Sequence, residues 1–353
     1  MKKFLAMLLA LVIVLSLAAC SGDSGSSSGS GSTDAPPAST GSGDSGSGSG
    51  TTDTPPAATK TGELTIGISV NSLSNIHNRH MFEGLTSEAE ARGHKVVSTS
   101  ANGDPSQQAT DIENLVAAGC DVVVIENGDQ FSLQNAVKEA AAAGTRIISY
   151  ETGYFEGIDC MYQLNSIKVQ ADICMQLAAE VGFNGKVITT GHQDVFALRA
   201  GAYIHDAFLS EHEFESVAHV QTTFPGTTEV TYTGLDAALT ANPDVVAIFT
   251  SQDLEAMGAI QALKEHDLYP QVKCVGVDGE VDVLNDIKND GAVLCTAISD
   301  LDGANKSIVE TCERLMAGET VPSFIEIPYD LVNKDNVDTF LAKAEADAAK
   351  YAE

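Results

Sequence analysis

From Glu63 onward, short apolar runs alternate with longer segments in which apolar residues return every three or four positions. The runs at 64–70, 95–100, 121–126 and 146–150 predict strands. Between them the spacing predicts helices: Met81, Leu85 and Ala89 fall on one face of the first, and Ile112 with Val116 on one face of the next. Gly93, Gly119 and Gly144 stand where left-handed caps end these helices, 26 and 25 residues apart, about one strand-loop-helix unit each. The strands are apolar almost without interruption, as in Val122-Val123-Val124-Ile125, which is the pattern of a parallel sheet covered on both faces. After a break over 161–166 the rhythm restarts. Further strands are predicted at 186–190, 216–222, 245–250, 273–278 and 293–299, and a helix over 254–265 with Leu254, Met257, Ile260 and Leu263 near one face. So many strands exceed an ordinary single sheet, so the expectation is an α/β protein of two doubly wound parallel-sheet lobes.

The segment before this rhythm has a different character. Lys2 and Lys3 precede an apolar run over 4–17, followed by Ala18, Ala19 and Cys20, which reads as a secretory signal too short for a lasting membrane span. Leu17-Ala18-Ala19-Cys20 resembles the bacterial lipobox, implying signal removal over 1–19, lipidation of Cys20 and an extracytoplasmic, membrane-anchored chain. Residues 20–62 are almost wholly Ser, Gly, Thr, Asp, Pro and Ala and cannot bury enough apolar surface to order themselves, so they read as a tether with an r.m.s. reach of about 35 Å.

Charge narrows the functional classes. The 353 residues carry 19 basic and 49 acidic side chains, a net −30, which becomes 17 − 49 = −32 once Lys2 and Lys3 are removed. Such a surface repels phosphate backbones and anionic headgroups, excluding nucleic acid as a partner. Of seven cysteines, six follow Cys20 with no Cys-x-x-Cys pair; Cys120, Cys274 and Cys295 sit in or beside strands and are expected as buried thiols, although export permits disulfides. No nucleophile elbow, phosphate loop or zinc-protease motif is present, so neither catalysis, a metal nor a cofactor is expected. The spacing of His77 and His80, and of His205, His212 and His219, lacks the carboxylates or thiols that would complete a metal shell.

In open parallel sheets ligands bind beyond the carboxyl ends of the strands. The residues there are Asn71 to Asn78, Glu151-Thr152, His192-Gln193-Asp194, Ser251-Gln252-Asp253 and Asp278-Gly279, a set of donors and acceptors suited to a polyhydroxylated molecule. Residues 64–84, the strings Thr250-Ser251-Gln252-Asp253 with Met257-Gly258-Ala259, Val275-Gly276-Val277-Asp278-Gly279, and Leu331-Val332-Asn333-Lys334-Asp335-Asn336-Val337 together resemble type I periplasmic binding proteins of the ribose and galactose group, over about 63–340. The resemblance implies lobes over 63–165 with 300–328 and over 166–299 with 329–353, joined by a three-crossover hinge. It further implies a monomer that captures a monosaccharide or sugar-like ligand and delivers it to an ABC transporter permease. The same clamp also suits a sensor for a membrane receptor or kinase, or a nucleoside, amino sugar, furanosyl signal or cationic cargo.

Carried over by that resemblance, Asn75 is a polar contact after the first strand and Arg199 a fork of donors. Phe224 is an aromatic stacking on a sugar face, Gln252 stands where Asn is common, and Asp278 accepts from hydroxyls. The chain departs from the family pattern with His77 and Asn78 in place of two aromatics, Glu151-Thr152 in place of Asp-Arg, and Ser299 near a usual Gln. Each has a plainer role open to it: Asn75 as a helix cap, Asp278 closing a turn with Gly279, Arg199 in a surface salt bridge, Phe224 as core, His77 as a solvated helix residue and Glu151 paired with a basic neighbour.

Overall fold

The computed structural model describes residues 59–73, 76–192, 196–223 and 226–350. The signal segment, Cys20, almost all of the tether, Asn75 and Phe224 lie outside the described residues.

The alternation along the chain becomes an alternation of elements. It begins β1 (Thr65–Val70), α1 (Ile76–Ala91), β2 (Lys95–Ser100), α2 (Pro105–Ala117), β3 (Val122–Glu126), α3 (Gln130–Ala142), β4 (Arg146–Tyr150) and β5 (Cys160–Leu164). It continues α4 (Ser166–Val181), β6 (Asn184–Gly191), α5 (Phe196–Ser210), β7 (Glu213–Gln221), α6 (Thr227–Ala241), β8 (Ala247–Phe249), α7 (Asp253–Glu265), β9 (Lys273–Val277), α8 (Val281–Lys288) and β10 (Val293–Ser299). It closes with α9 (Leu301–Met316), β11 (Phe324–Ile327), β12 (Tyr329–Asn333) and α10 (Val337–Lys350). No described helix is long and apolar enough to cross a membrane.

Two six-stranded sheets result, ordered β11-β5-β4-β3-β1-β2 and β12-β10-β9-β8-β6-β7. The first is parallel throughout, and the second is parallel except for β12, which runs antiparallel to β10. The two doubly wound lobes follow the hydrophobic rhythm, while β5, β11 and β12 carry no comparable signal. These are the strands beside the passages between sheets. The chain crosses after β5 at Asn165, after β10 at Asp300 and after β11 at Pro328. Asn165 and Asp300 each cap the helix that follows, accepting from Lys168 N at 3.1 Å and Gly303 N at 3.0 Å, and Asp300 N donates to Pro328 O at 2.8 Å, tying the second passage to the third.

Strand alternation splits each apolar run between two cores. Val122 and Val124 pack with α1 and α9, whereas Val123 and Ile125 pack with α2 and α3. In the second sheet Cys274 joins the core under α6, α7, α8 and α10, and Val275 with Val277 joins the one under α4. Gly93, Gly119 and Gly144 have φ of +84°, +79° and +93°, the left-handed conformation that ends a helix. The buried face of α2 turns on Ile112 and Leu115 rather than Ile112 and Val116, and that of α7 is led by Ala256, Ala259, Ala262 and Leu263.

Small residues on α7 let α6 approach closely. A β-carbon on Gly258 would lie 2.7 Å from Thr228 O, 2.8 Å from Thr231 Cβ and 2.9 Å from Tyr232 N. Because two of these are backbone atoms, Gly258→Ala is expected to destabilise the protein by about 1–3 kcal/mol, read as a lowered urea midpoint. The six described cysteines are free and buried, and burial pushes their thiols up. A thiol reagent should leave them unlabelled in the native protein and label all six after denaturation without reductant; a count that rises only on reduction would reveal a disulfide.

Candidate functional site

Strand order reverses between β1 and β3 in the first sheet and between β6 and β8 in the second, and loops diverging at such points leave a crevice. In this protein the crevice is a cavity of about 160 Å³ walled by both lobes. Asn71, His77, Asn78, Asn127, Glu151 and Gln163 come from the first sheet and its helices. Gln170, Leu198, Ser251, Gln252, Val277 and Asp278 come from the second, with Leu164, Ser166 and Val169 at the first passage.

Buried hydrogen bonds fix these walls. Gln108, wholly buried on α2, donates Nε2 to Ser69 O at 3.3 Å and Glu126 O at 3.1 Å, tying the ends of β1 and β3 together. Asn78 donates to Ser72 O at 2.8 Å and accepts from Asn127 Nδ2 at 2.7 Å, so α1 is locked to the loop after β3. On the opposite wall Glu255 accepts from Thr222 Oγ1 at 3.0 Å, Ser251 N at 2.8 Å and Ser251 Oγ at 3.0 Å, and also from Thr190 Oγ1. Asp253 accepts from Gly279 N at 2.8 Å, Glu280 N at 2.7 Å and Thr296 Oγ1 at 2.8 Å, and this holds the turn bearing Asp278. Three cavity residues just past strand ends, Asn127, Glu151 and Asp278, have φ of +48°, +57° and +116°. A non-glycine backbone in that region is costly and persists only where its surroundings impose it.

His77 joins the two lobes. Its Nε2 lies 3.1 Å from Glu151 Oε2 on its own side and its Nδ1 3.9 Å from Asp278 Oδ1 on the other.

Of the ten binding positions read from the sequence, His77, Asn78, Glu151, Gln252 and Asp278 meet in this cavity. Thr152 does not reach it: the side chain is wholly buried, donating to Ile125 O at 3.0 Å and accepting from Gly128 N at 2.9 Å, so it fastens the loop after β4 to β3. Arg199 lines a neighbouring depression with Tyr203, Ile167 and Phe324, because Leu198 takes the cavity-facing position and the next helical residue is turned by about 100°. Ser299 lines a second hollow behind Asp278, among Asp300, Pro328 and Asp330. Asn75 and Phe224 fall outside the described residues. Asn127, Gln163, Ser166 and Gln170 were not expected. Asn127 is the first residue after β3 and obeys the strand-end rule, whereas Gln163, Ser166 and Gln170 depend on a crossing that the hydrophobic pattern does not mark.

Residues 66–320 match the model of the periplasmic binding protein domain. The chain belongs to that family. Among its relatives is the ribose import binding protein RbsB of Bacillus subtilis (strain 168), 26% identical over 272 residues that cover 76% of this chain and 87% of the relative. Among solved structures, an ABC transporter solute binding protein from Agrobacterium vitis with bound allitol has a TM-score of 0.71 at 19% identity, covering 80% of this chain and 99% of that one. A 5-methylthioribose transporter solute binding protein from Thermotoga lettingae TMO, in complex with 5-methylthioribose, has a TM-score of 0.72 at 21% identity, covering 80% and 92%. The family's work is binding, not turnover.

Electrostatically the cleft of this binding protein is acidic. Burial opposes charge on His77, but the attraction and hydrogen bond of Glu151, helped by Asp278 and Glu126, outweigh it and push the imidazole up to about 9. Burial raises Asp278 to about 7, with His77 opposing and Glu280, Glu151 and Glu255 adding to the rise. Glu126 is wholly buried with both carboxylate oxygens unpartnered among the described residues, and desolvation holds it well above the usual carboxylate range. A raised histidine contributes stability that is complete below its unfolded pKa and is lost on the way to its folded one. His77 should therefore stabilise the ligand-free protein over His77→Gln at low pH, and the melting-temperature gap should close between 6.5 and about 9. A gap that is constant across that window would contradict the coupling.

Proposed function

We propose that this protein is an extracytoplasmic solute-binding component of an ABC importer. It captures a small polyhydroxylated molecule, a monosaccharide or close analogue, between its lobes. The observation that carries the reading is the cavity itself, at the switch points of both sheets and lined by six amide side chains, Asn71, Asn78, Asn127, Gln163, Gln170 and Gln252, with two carboxylates and two serines beside them. Amides offer donor and acceptor together, matching hydroxyls that do the same. The relatives' names, a ribose import protein and structures holding allitol and 5-methylthioribose, support the same class.

The chain over 63–165 with 300–328 forms one lobe and 166–299 with 329–353 the other, with the three passages as the hinge. Asn71, His77, Asn78, Asn127 and Glu151 grip the ligand from one lobe, and Ser251, Gln252 and Asp278 from the other. A molecule touching both favours the closed arrangement by its differential affinity, and that shape is what the permease reads. Cys20, lipidated, and the tether behind it hold a monomeric clamp at the membrane.

A thermal-shift and calorimetric panel of pentoses, hexoses and polyols tests the reading. A true ligand at about 100 times its dissociation constant should stabilise the protein by about 2.7 kcal/mol. Asp278→Ala and Gln252→Ala should each weaken it by about tenfold or more, because each leaves buried ligand hydroxyls unpaired. A panel in which nothing raises the melting temperature would dismiss the sugar reading.

A further inference from the structure

The charges around the cavity do not balance. Among the described residues lining it there is one cationic group, His77, against the carboxylates of Glu151 and Asp278, and no Lys or Arg. The segments 74–75, 193–195 and 224–225, which follow β1, β6 and β7 in sequence, contain no Lys or Arg either. Independently, the wall holds buried acceptors that find no donor among the described residues. Glu151 is 6% exposed and bonds His77 through Oε2, leaving Oε1 unpartnered, and Gln170 is 5% exposed with its Nε2 committed to Ser251 O at 2.9 Å and its Oε1 unpartnered. Gln163 Oε1 is unpartnered as well. Buried acceptors without donors are costly, and a ligand that enters here is asked for donors above all.

Resting on the sugar reading, we propose that the cargo is aminated: an amino sugar or amino polyol whose ammonium group is held by Glu151 and Asp278 while its hydroxyls meet the amides.

An ammonium brings donors and the missing positive charge together, which a neutral sugar does not. In the ligand-free cleft a proton on Asp278 serves as the balancing charge below about pH 7. On binding there, the ammonium takes that place and the Asp278 proton leaves to solvent, so up to one proton is released per amine bound, and none once Asp278 is already ionised. The groups acting on Asp278 are His77 from α1, Glu151 after β4, Asp253 and Glu255 from α7, and Glu280 from its own turn, with Arg79 acting on Glu280. All of these but His77 resist its ionisation, and a further positive charge beside it would favour ionisation.

The test is calorimetric titration of the purified protein with matched pairs: glucose and glucosamine, galactose and galactosamine, mannose and mannosamine, and glucitol with its amino-deoxy analogue. At least one aminated member should bind about tenfold or more tightly than its parent, and its advantage, corrected for the fraction of the amine that is protonated at each pH, should widen from about pH 6 to about pH 8 as Asp278 gives up its proton. Glu151→Gln, which keeps the shape and removes the charge, should bring the ratio towards one. Parents that bind as well as the amines would overturn the aminated cargo while leaving the sugar clamp standing. Binding of a simple polyamine, with none of the sugars or amino sugars, would overturn the sugar reading and the amino sugar with it. A wholly blank panel overturns both. Should Glu151→Gln not fold, the wild-type pH profile decides, since an amine advantage that is flat with pH contradicts the exchange.

Discussion

Covering both faces of a parallel sheet with helices leaves few places for polar side chains to gather. Each apolar run is consumed by packing, even-numbered positions to one layer of helices and odd-numbered to the other, as Val122 to Ile125 illustrate. Polar residues are pushed to the strand ends, and the reversal of strand order opens the loops there. This protein meets the constraint twice, in two sheets, and its cavity draws on both sets of ends. The buried Gln108 and Glu255 perform matching tasks on the two sides, each tying together chain ends that the reversal would otherwise let part.

The same constraint explains why carboxyl groups in one small region behave so differently. Glu255 is surrounded by hydroxyl and amide donors and serves as a structural acceptor. Asp253 bonds two backbone amides and a threonine, and so shapes the turn beneath Asp278. Glu126, with no donor among the described residues, is held well above the usual carboxylate range by burial. Glu151 and Asp278 stand between these extremes, both facing the imidazole of His77. All but Asp278, whose side chain is 26% exposed, are buried, and the supply of donors sets them apart.

Much of this was legible in the chain before the structure. Nine of the twelve described strands were announced; most of them are apolar runs whose both-face burial leaves a dense signal, while the exposed edge strands β2 and β7 were readable from the strand-helix rhythm. β5 reads Cys-Met-Tyr-Gln-Leu and β11 only Phe-Ile-Glu-Ile, too short and mixed to declare a period, and β12 is an antiparallel edge outside the repeating unit. At the site, residues that leave a strand directly were readable: Glu151 and Asp278 inherit their position from the strand before them. Residues whose placement depends on helical phase were not, which is why Leu198 lines the cavity and Arg199 the next depression. Thr152 marks a further limit, since a polar residue at a strand end can turn inward to serve the backbone.

The backbone at Asp278, with φ of +116°, narrows the routes by which this cleft can change its preference over evolutionary time. Most side chains are strained there, so drift is channelled towards glycine and the short polar residues that tolerate such geometry. Asparagine keeps the outline and discards the charge; glycine discards both. Each lies a single base change from an aspartate codon. A lineage carrying this scaffold can therefore remove the carboxylate from this wall of the cleft in one step.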